Sequence, residues 1–346
     1  MGLFESIFKK EKQQKAIGAY FQTLTGYTPA FTTFEGSVYE ADLTRAAIHT
    51  FARQAAKLKP QITGRAYKSL ETTLQNRPNP FMDGYKFIYR TATMLEVDNN
   101  AFIIPIYNAD LTRVVGFYPA LPQNTRVIEY NGRPYLRYQF GGGNWAAIEF
   151  EDVGILTQFQ YKNDFFGESN RVFDPTMQLL NAQNEGIIEG IKQSASVRFL
   201  AKLAQPLRKE DIESERKRFV ETNLTTENNG GVMLVDTKYS DIKQIESKAT
   251  IINAAQKAAI EENVYTFFGT SKGIMQNNFK EDEWNAYYEG KIEPFAIQIS
   301  LVMSNMLFSP HEQAFDNAVI FSANRLQYAS NSTKLQVTTQ LFDRGI

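Results

Sequence analysis

The side chains best suited to chemistry are sparse. The 346 residues include two histidines, His49 and His311, and no cysteine. Disulfides and thiolate metal sites are therefore excluded, and only two imidazoles remain as nitrogen ligands. His49 lies off the apolar stripe of its helix and reads as solvated or hydrogen-bonded. His311 precedes Glu312 but lacks the second histidine of a zinc-protease helix. The acids Glu281, Asp282 and Glu283 read as a helix start, where carboxylates meet the positive end of the dipole. Gly141, Gly143 and Ala146 fit the GxGxxA spacing after the strand-like YLRYQF, but AAIEF reads as a returning strand, so the segment is a hairpin turn. No GxxxxGK[ST] phosphate loop and no Gly-x-Ser-x-Gly elbow occur. No catalytic residue, metal or cofactor is expected.

Bulk composition narrows the classes further. A chain of this length with 43% hydrophobic residues can hold one large or two to three small cores. Seventeen tyrosines and 26 phenylalanines against two tryptophans point to cores built on ring packing. Lys and Arg total 37 against 38 acids, a net charge of −1. A tight DNA binder carries a basic excess, so any nucleic-acid contact should be loose. Avoidance of cysteine fits a protein made in a reducing cytosol and later exposed outside it. The opening MGLFESIFKKEKQQK is too short in its apolar part for a signal peptide or a span, and reads as a short amphipathic helix. Gly2 with Ser6 fits the loose myristoylation pattern, which is common by chance.

The elements that would position any site follow from periodicity. Leu43, Ala47, Phe51, Ala55 and Leu58 define a helix over 41–59. The two prolines of RPNPFMDG end one helix at Asn76 and start another near Pro80. Short Ile/Val/Tyr/Phe runs over 101–160, broken by Asn-Ala-Asp, Pro-Gln-Asn, Asn-Gly-Arg and Gly-Gly-Gly, form an antiparallel meander. A long helix over 172–204 would reach about 45 Å, with Gly186 and Gly190 on one face for close approach of a neighbour or for a kink. A charged helix over 207–223, a turn at 228–231 and two strands joined near Lys238 or Asp241 make a compact insertion. A second helix spans 247–268, an exposed Gly-containing loop 269–281, and a third helix 282–307, which Pro294 should kink. A strand near 314–322 and a short helix end the chain.

The order of these elements resembles that of tailed-bacteriophage portal proteins, particularly the short siphovirus type. The resemblance rests on the MGLF opening with its basic follow-on, RPNPFMDGYKF, NNAFIIPIY, VVGFYPALPQNTRVI and EDVGILTQF. It extends to ENVYTFFGTSKGIM, a helix ending in Phe-Gly before a Ser-containing loop, and to Pro294 in the following helix. Relatives usually have Val-Pro-Pro after Phe-Gly, where this chain has Thr270, Ser271 and Lys272.

The resemblance implies an α+β portal fold. Residues 1–170 and 282–328 would form an α/β wing, and 171–202 and 247–268 two long stem helices. Residues 203–246 would form a small α/β clip and 269–281 a tunnel loop before the kinked long helix. Residues 329–346 would begin a reduced or truncated crown. It further implies a non-enzymatic virion protein at the portal vertex, present in host cytoplasm during assembly, and no membrane association. The subunit would form a homo-oligomeric ring of about twelve copies carrying double-stranded DNA through its lumen. Implied partners are the terminase large subunit, a head-to-tail adaptor and the major capsid protein, with scaffold as a further candidate. Lys272, Gln276, Asn277, Asn278 and Lys280 are the candidate DNA contacts of the loop. Arg208, Lys209, Arg216, Lys217 and Arg218 are the candidate partner face of the clip. Two other readings stand beside it: a different ring-forming head-to-tail connector, and a nucleic-acid-processing enzyme.

Overall fold

The computed structural model describes residues 22–23, 38–39, 41–139, 145–195, 198–203, 205, 208–223, 239–245, 254–323 and 339. The N-terminal amphipathic helix and the last helix expected from sequence lie outside these residues. The chain divides into two compact units, Met1–Met177 together with Ala259–Ile346, and Gln178–Ala258.

In the first unit, β1 (Gln22–Thr23) precedes helix α1 (Asp42–Ala55), which forms where the apolar stripe places it. Ala47, Phe51, Ala52 and Ala55 are buried, and their small neighbours allow close helix packing. Strand β2 (Lys59–Ile62), α2 (Ser69–Asn76) and α3 (Gly84–Asp98) follow. Strands β3 (Asn100–Tyr107), β4 (Val114–Ala120), β5 (Thr125–Tyr130), β6 (Arg133–Gln139), β7 (Trp145–Glu149) and β8 (Gly154–Thr157) fall where a meander was expected, but they are not one meander, because β8 returns to pair with β3. They form two antiparallel sheets, ordered β4-β3-β8 and β1-β5-β6-β7. Strands β6 and β7 pair antiparallel with Gln139 opposite Trp145, so AAIEF lies in a returning strand as expected; residues 140–144 between them lie outside the described residues.

Strand β3 is buried from Asn100 to Ile106 because both of its faces are covered. Ala101 and Ile103 join the core of α1, α3 and the C-terminal helices, whereas Phe102 and Ile104 join the core of β5, β6 and β7. Alternate residues of one strand thus serve two cores, which is why the run NAFIIPIY shows no polar alternation.

The RPNPFMDG segment is a structural clamp. Asn79 is buried and donates to the Phe117 carbonyl at 3.0 Å, and the Phe117 N–H donates to the Pro78 carbonyl at 2.8 Å. Helix α3 begins at Gly84 rather than near Pro80, because the Asp83 carboxylate caps it by accepting from the Lys86 N–H at 2.7 Å. A Cβ at Gly84 would stand 2.3 Å from the Gln75 carbonyl oxygen, so only glycine allows this approach of chain to chain. At the other end of α3, Asn99 takes the left-handed conformation (φ 55°) and donates to the Glu168 carbonyl at 2.7 Å and to Asn170 Oδ1 at 2.6 Å.

Helix α4 (Asp174–Ala195) stops short of the expected residue 204. Residues Arg198–Leu203 form a strand instead, β9, paired antiparallel with β10 (Tyr239–Ile245). The long-range ladder overrides a stripe in which Phe199 continued the helical spacing. Between them α5 (Lys209–Asn223) forms as expected. Tyr239 donates to Glu215 Oε1 at 3.1 Å and meets Phe219 edge-on at 5.5 Å, which fixes α5 on the ladder. The first of the two expected strands, before Lys238, lies outside the described residues. So do 247–253 of the next helix, which is described as α6 (Ala254–Phe267).

The remaining chain gives α7 (Lys272–Gln276), α8 (Glu281–Tyr287), a π-helical segment at Tyr288–Ile292, α9 (Glu293–Leu307), α10 (Pro310–Gln313) and β11 (Val319–Ser322). The expected single helix 282–307 is thus three pieces. Residues 310–313 are helical, because Ser309 and Glu312 form a reciprocal capping box and Pro310 fits the first turn, and the strand expected near 314–322 begins only at Val319. Strand β11 pairs with β2.

Candidate functional site

Helix α6 ends in packed rings. Phe173 stacks on Phe267 with centroids 4.2 Å apart and meets Phe268 edge-on at 5.7 Å. Gly269 then turns the chain with φ 59°, a left-handed conformation open to glycine, while the Thr270 N–H donates back to the Tyr265 carbonyl at 2.9 Å. This accounts for the Phe-Gly pair physically: the ring anchors the helix end and the glycine reverses it.

The segment 269–281 is not a plain exposed loop. Ser271 caps a helical turn, accepting from the Ile274 N–H at 3.2 Å, and its hydroxyl donates to the Glu283 carboxylate. Ile274 is buried in the main core with Trp284, on which Phe279 stacks at 5.2 Å. Asn277 closes the turn with φ 56°, and its side-chain carbonyl accepts from Arg53 Nη2 at 2.8 Å. The capped turn therefore holds its polar residues on a fixed frame.

Lys272, Gln276, Asn277, Asn278 and Lys280 are all exposed on this turn, so the structure brings the five candidate contacts together. Asn277 is also committed to Arg53, which gives it a structural task that sequence did not reveal. Glu281, Asp282 and Glu283 open α8, as the helix-start reading requires. In the second unit Arg208, Arg216, Lys217 and Arg218 are exposed, Arg218 lying 4.0 Å from Glu215. The Lys209 side chain lies outside the description.

Pro294 falls in the first turn of α9, where its missing N–H is tolerated. The preceding segment widens to π geometry, with the Glu293 N–H donating to the Tyr288 carbonyl five residues back. The expected kink site thus takes the form of a π segment followed by a proline. Beside it lies a cleft of about 650 Å³ lined by Phe51, Leu95, Gln158, Phe295, Ile297 and Leu301. Its wall carries a buried ion pair, Lys291 Nζ to Glu96 Oε1 at 2.7 Å, with Gln158 donating to the same oxygen at 3.0 Å. His49 is hydrogen-bonded to the Tyr89 hydroxyl at 2.9 Å. Among the described residues no group of three His, Asp or Glu could hold a metal, and no helix is long and apolar enough to cross a membrane.

The chain joins a mixed α+β unit to a second α/β unit that contains most of the long helix α4 and the start of α6. The sequence pattern of phage portal proteins matches residues 43–346, and the chain belongs to that family, one of structural proteins. Solved structures share the fold. A chain of the neck of the native gene transfer agent particle, computed with C12 symmetry, is 13% identical with a TM-score of 0.65, covering 94% of this chain and 91% of its own. A chain of the neck of the empty particle, computed with C6 symmetry, gives 14%, 0.66, 93% and 90%. An HK97-family phage portal protein from Corynebacterium diphtheriae gives 12%, 0.56, 86% and 98%. No curated protein matches in sequence.

Proposed function

We propose that this chain is the ring subunit of a phage portal vertex, a conduit for double-stranded DNA in packaging and ejection that performs no chemistry. The family match over residues 43–346 carries this reading. The fold likeness to chains of necks computed with C12 and C6 symmetry supports a ring of about twelve copies. Exposed apolar residues on one side of α4, Ile188 at 52% and Ile191 at 63%, three positions apart, also support it. A neighbouring copy would cover them by a heterologous contact that closes through rotation. On this reading Gln178–Ala258 contains the clip and most of the first stem helix, and the capped turn after Gly269 is the tunnel loop. The terminase large subunit and the head-to-tail adaptor would dock at the clip, with the capsid protein around the wing.

Sizing with light scattering tests the ring. A particle of many subunits is expected, and a monomer at every concentration and salt tried would overturn it. Near-neutral net charge suits a conduit, since each lysine–phosphate contact adds affinity that would resist movement of DNA. The double variant Lys272→Gln, Lys280→Gln is expected to assemble normally while DNA packaging or retention changes. Unaltered packaging by intact rings would remove the two lysines from the DNA path.

A further inference from the structure

The two-residue turn at Asn131 (φ 52°) and Gly132 (φ 75°) closes the β5–β6 hairpin. Its register places Arg126 directly opposite Arg137. Residues Val127, Leu136, Tyr138, Ala146 and Ile148 point into the core beneath, so Arg126, Arg137 and Trp145 share the other face, together with Ile128, which is buried. Arg137 lies over the Trp145 ring, its guanidinium carbon 4.4 Å from the centroid. Burial, and then the charge of Arg126, pull the Arg137 pKa below the ordinary arginine value.

Directly opposed like charges destabilise a sheet. Neither arginine makes an ion pair among the described residues. Arg133 and Tyr135 lie on the same face, and Glu149 beside them accepts from the Tyr135 hydroxyl at 3.2 Å. The tryptophan ring packs against the Arg137 guanidinium, whose N–H groups suit an oxyanion. Three arginines on one face of the sheet suit a polyphosphate backbone, whose oxyanions meet guanidinium edges.

We propose that the Arg126–Arg137 end of this sheet contacts nucleic-acid backbone phosphates, at a site distinct from the turn at 269–281. The claim does not require a ring. The test is anisotropy of a short labelled DNA duplex with the full chain, titrated across salt concentrations. For Arg126→Gln, Arg137→Gln, binding at ~0.1 M salt should weaken about tenfold and the salt slope should fall by about two. The same drop should appear in a Lys272→Gln, Lys280→Gln background, which separates this site from the turn. Arg126→Lys, Arg137→Lys should keep the slope. Relief of repulsion should leave the melting temperature unchanged or raised; if the double variant does not fold, Arg126→Gln alone should lower the slope by about one. Unaltered affinity and slope would overturn the proposal. So would tighter arginine-dependent binding of polyglutamate than of duplex, which would assign the face to an acidic protein.

Discussion

Urea unfolding of the Lys291→Met variant is expected to show a loss of about 3–5 kcal/mol. Methionine keeps the packing of the lysine stem, whose Nζ lies 5.0 Å from the Phe51 ring centre, so the change isolates the charge. What remains is Glu96, its side chain 3% exposed, with the neutral Gln158 amide as its one side-chain partner among the described residues. An unpaired buried carboxylate is far costlier than the pair is beneficial, because desolvation is then uncompensated. The double variant Glu96→Gln, Lys291→Met should therefore recover most of the loss, although it lacks both charges. If the single and double variants were equally unstable, packing rather than charge would hold this part of the fold.

Asp98 should give the chain a dependence on pH of unusual sign. Burial raises its pKa from the ordinary value of 3.8 to about 7, against an opposing hydrogen bond from Gln123. It is also the last residue of α3, where the helix dipole disfavours negative charge. The folded state thus holds a proton that the unfolded chain has released. Stability from this group is complete below about pH 4 and is lost as pH rises to about 7. Asp98→Asn removes the term and should stabilise the protein at pH 8 by about 2–4 kcal/mol relative to pH 4. Glu71 and Glu312, whose pKa values are lowered by hydrogen bonds, act oppositely and only in the acid range. Denaturation of wild type and variant at both pH values isolates the term; a constant difference between them would contradict it.

What could be read from sequence was local. The α1 stripe, the helix end at Asn76, the hairpin after YLRYQF and the acid-led start of α8 each depend on residues within one or two turns. Where a distant strand decided, reading failed: Phe199 fits a helical stripe, but pairing with Gln244 makes it part of a ladder. The Ser271 and Ser309 caps were legible in principle, since each serine stands three residues before the N–H it accepts from. The opposed arginines were also within reach, because counting outward from Asn131–Gly132 pairs 126 with 137. No local pattern reports Glu96 with Lys291, or Arg53 with Asn277. These partners are far apart in the chain and meet only once α3 and α1 are packed against the C-terminal helices.

The π segment ahead of Pro294 makes this part of the chain sensitive to residue count rather than residue identity. Each residue advances an α-helix by about 100°. Deleting one position between 288 and 292 would leave two sound helices, yet turn the first against the second by roughly that angle. Trp284 and Tyr287 would swing off the core that α9 continues to face. Substitutions along α8 and α9 can be judged one side chain at a time, but a change of length here alters the phase of a whole helix at once.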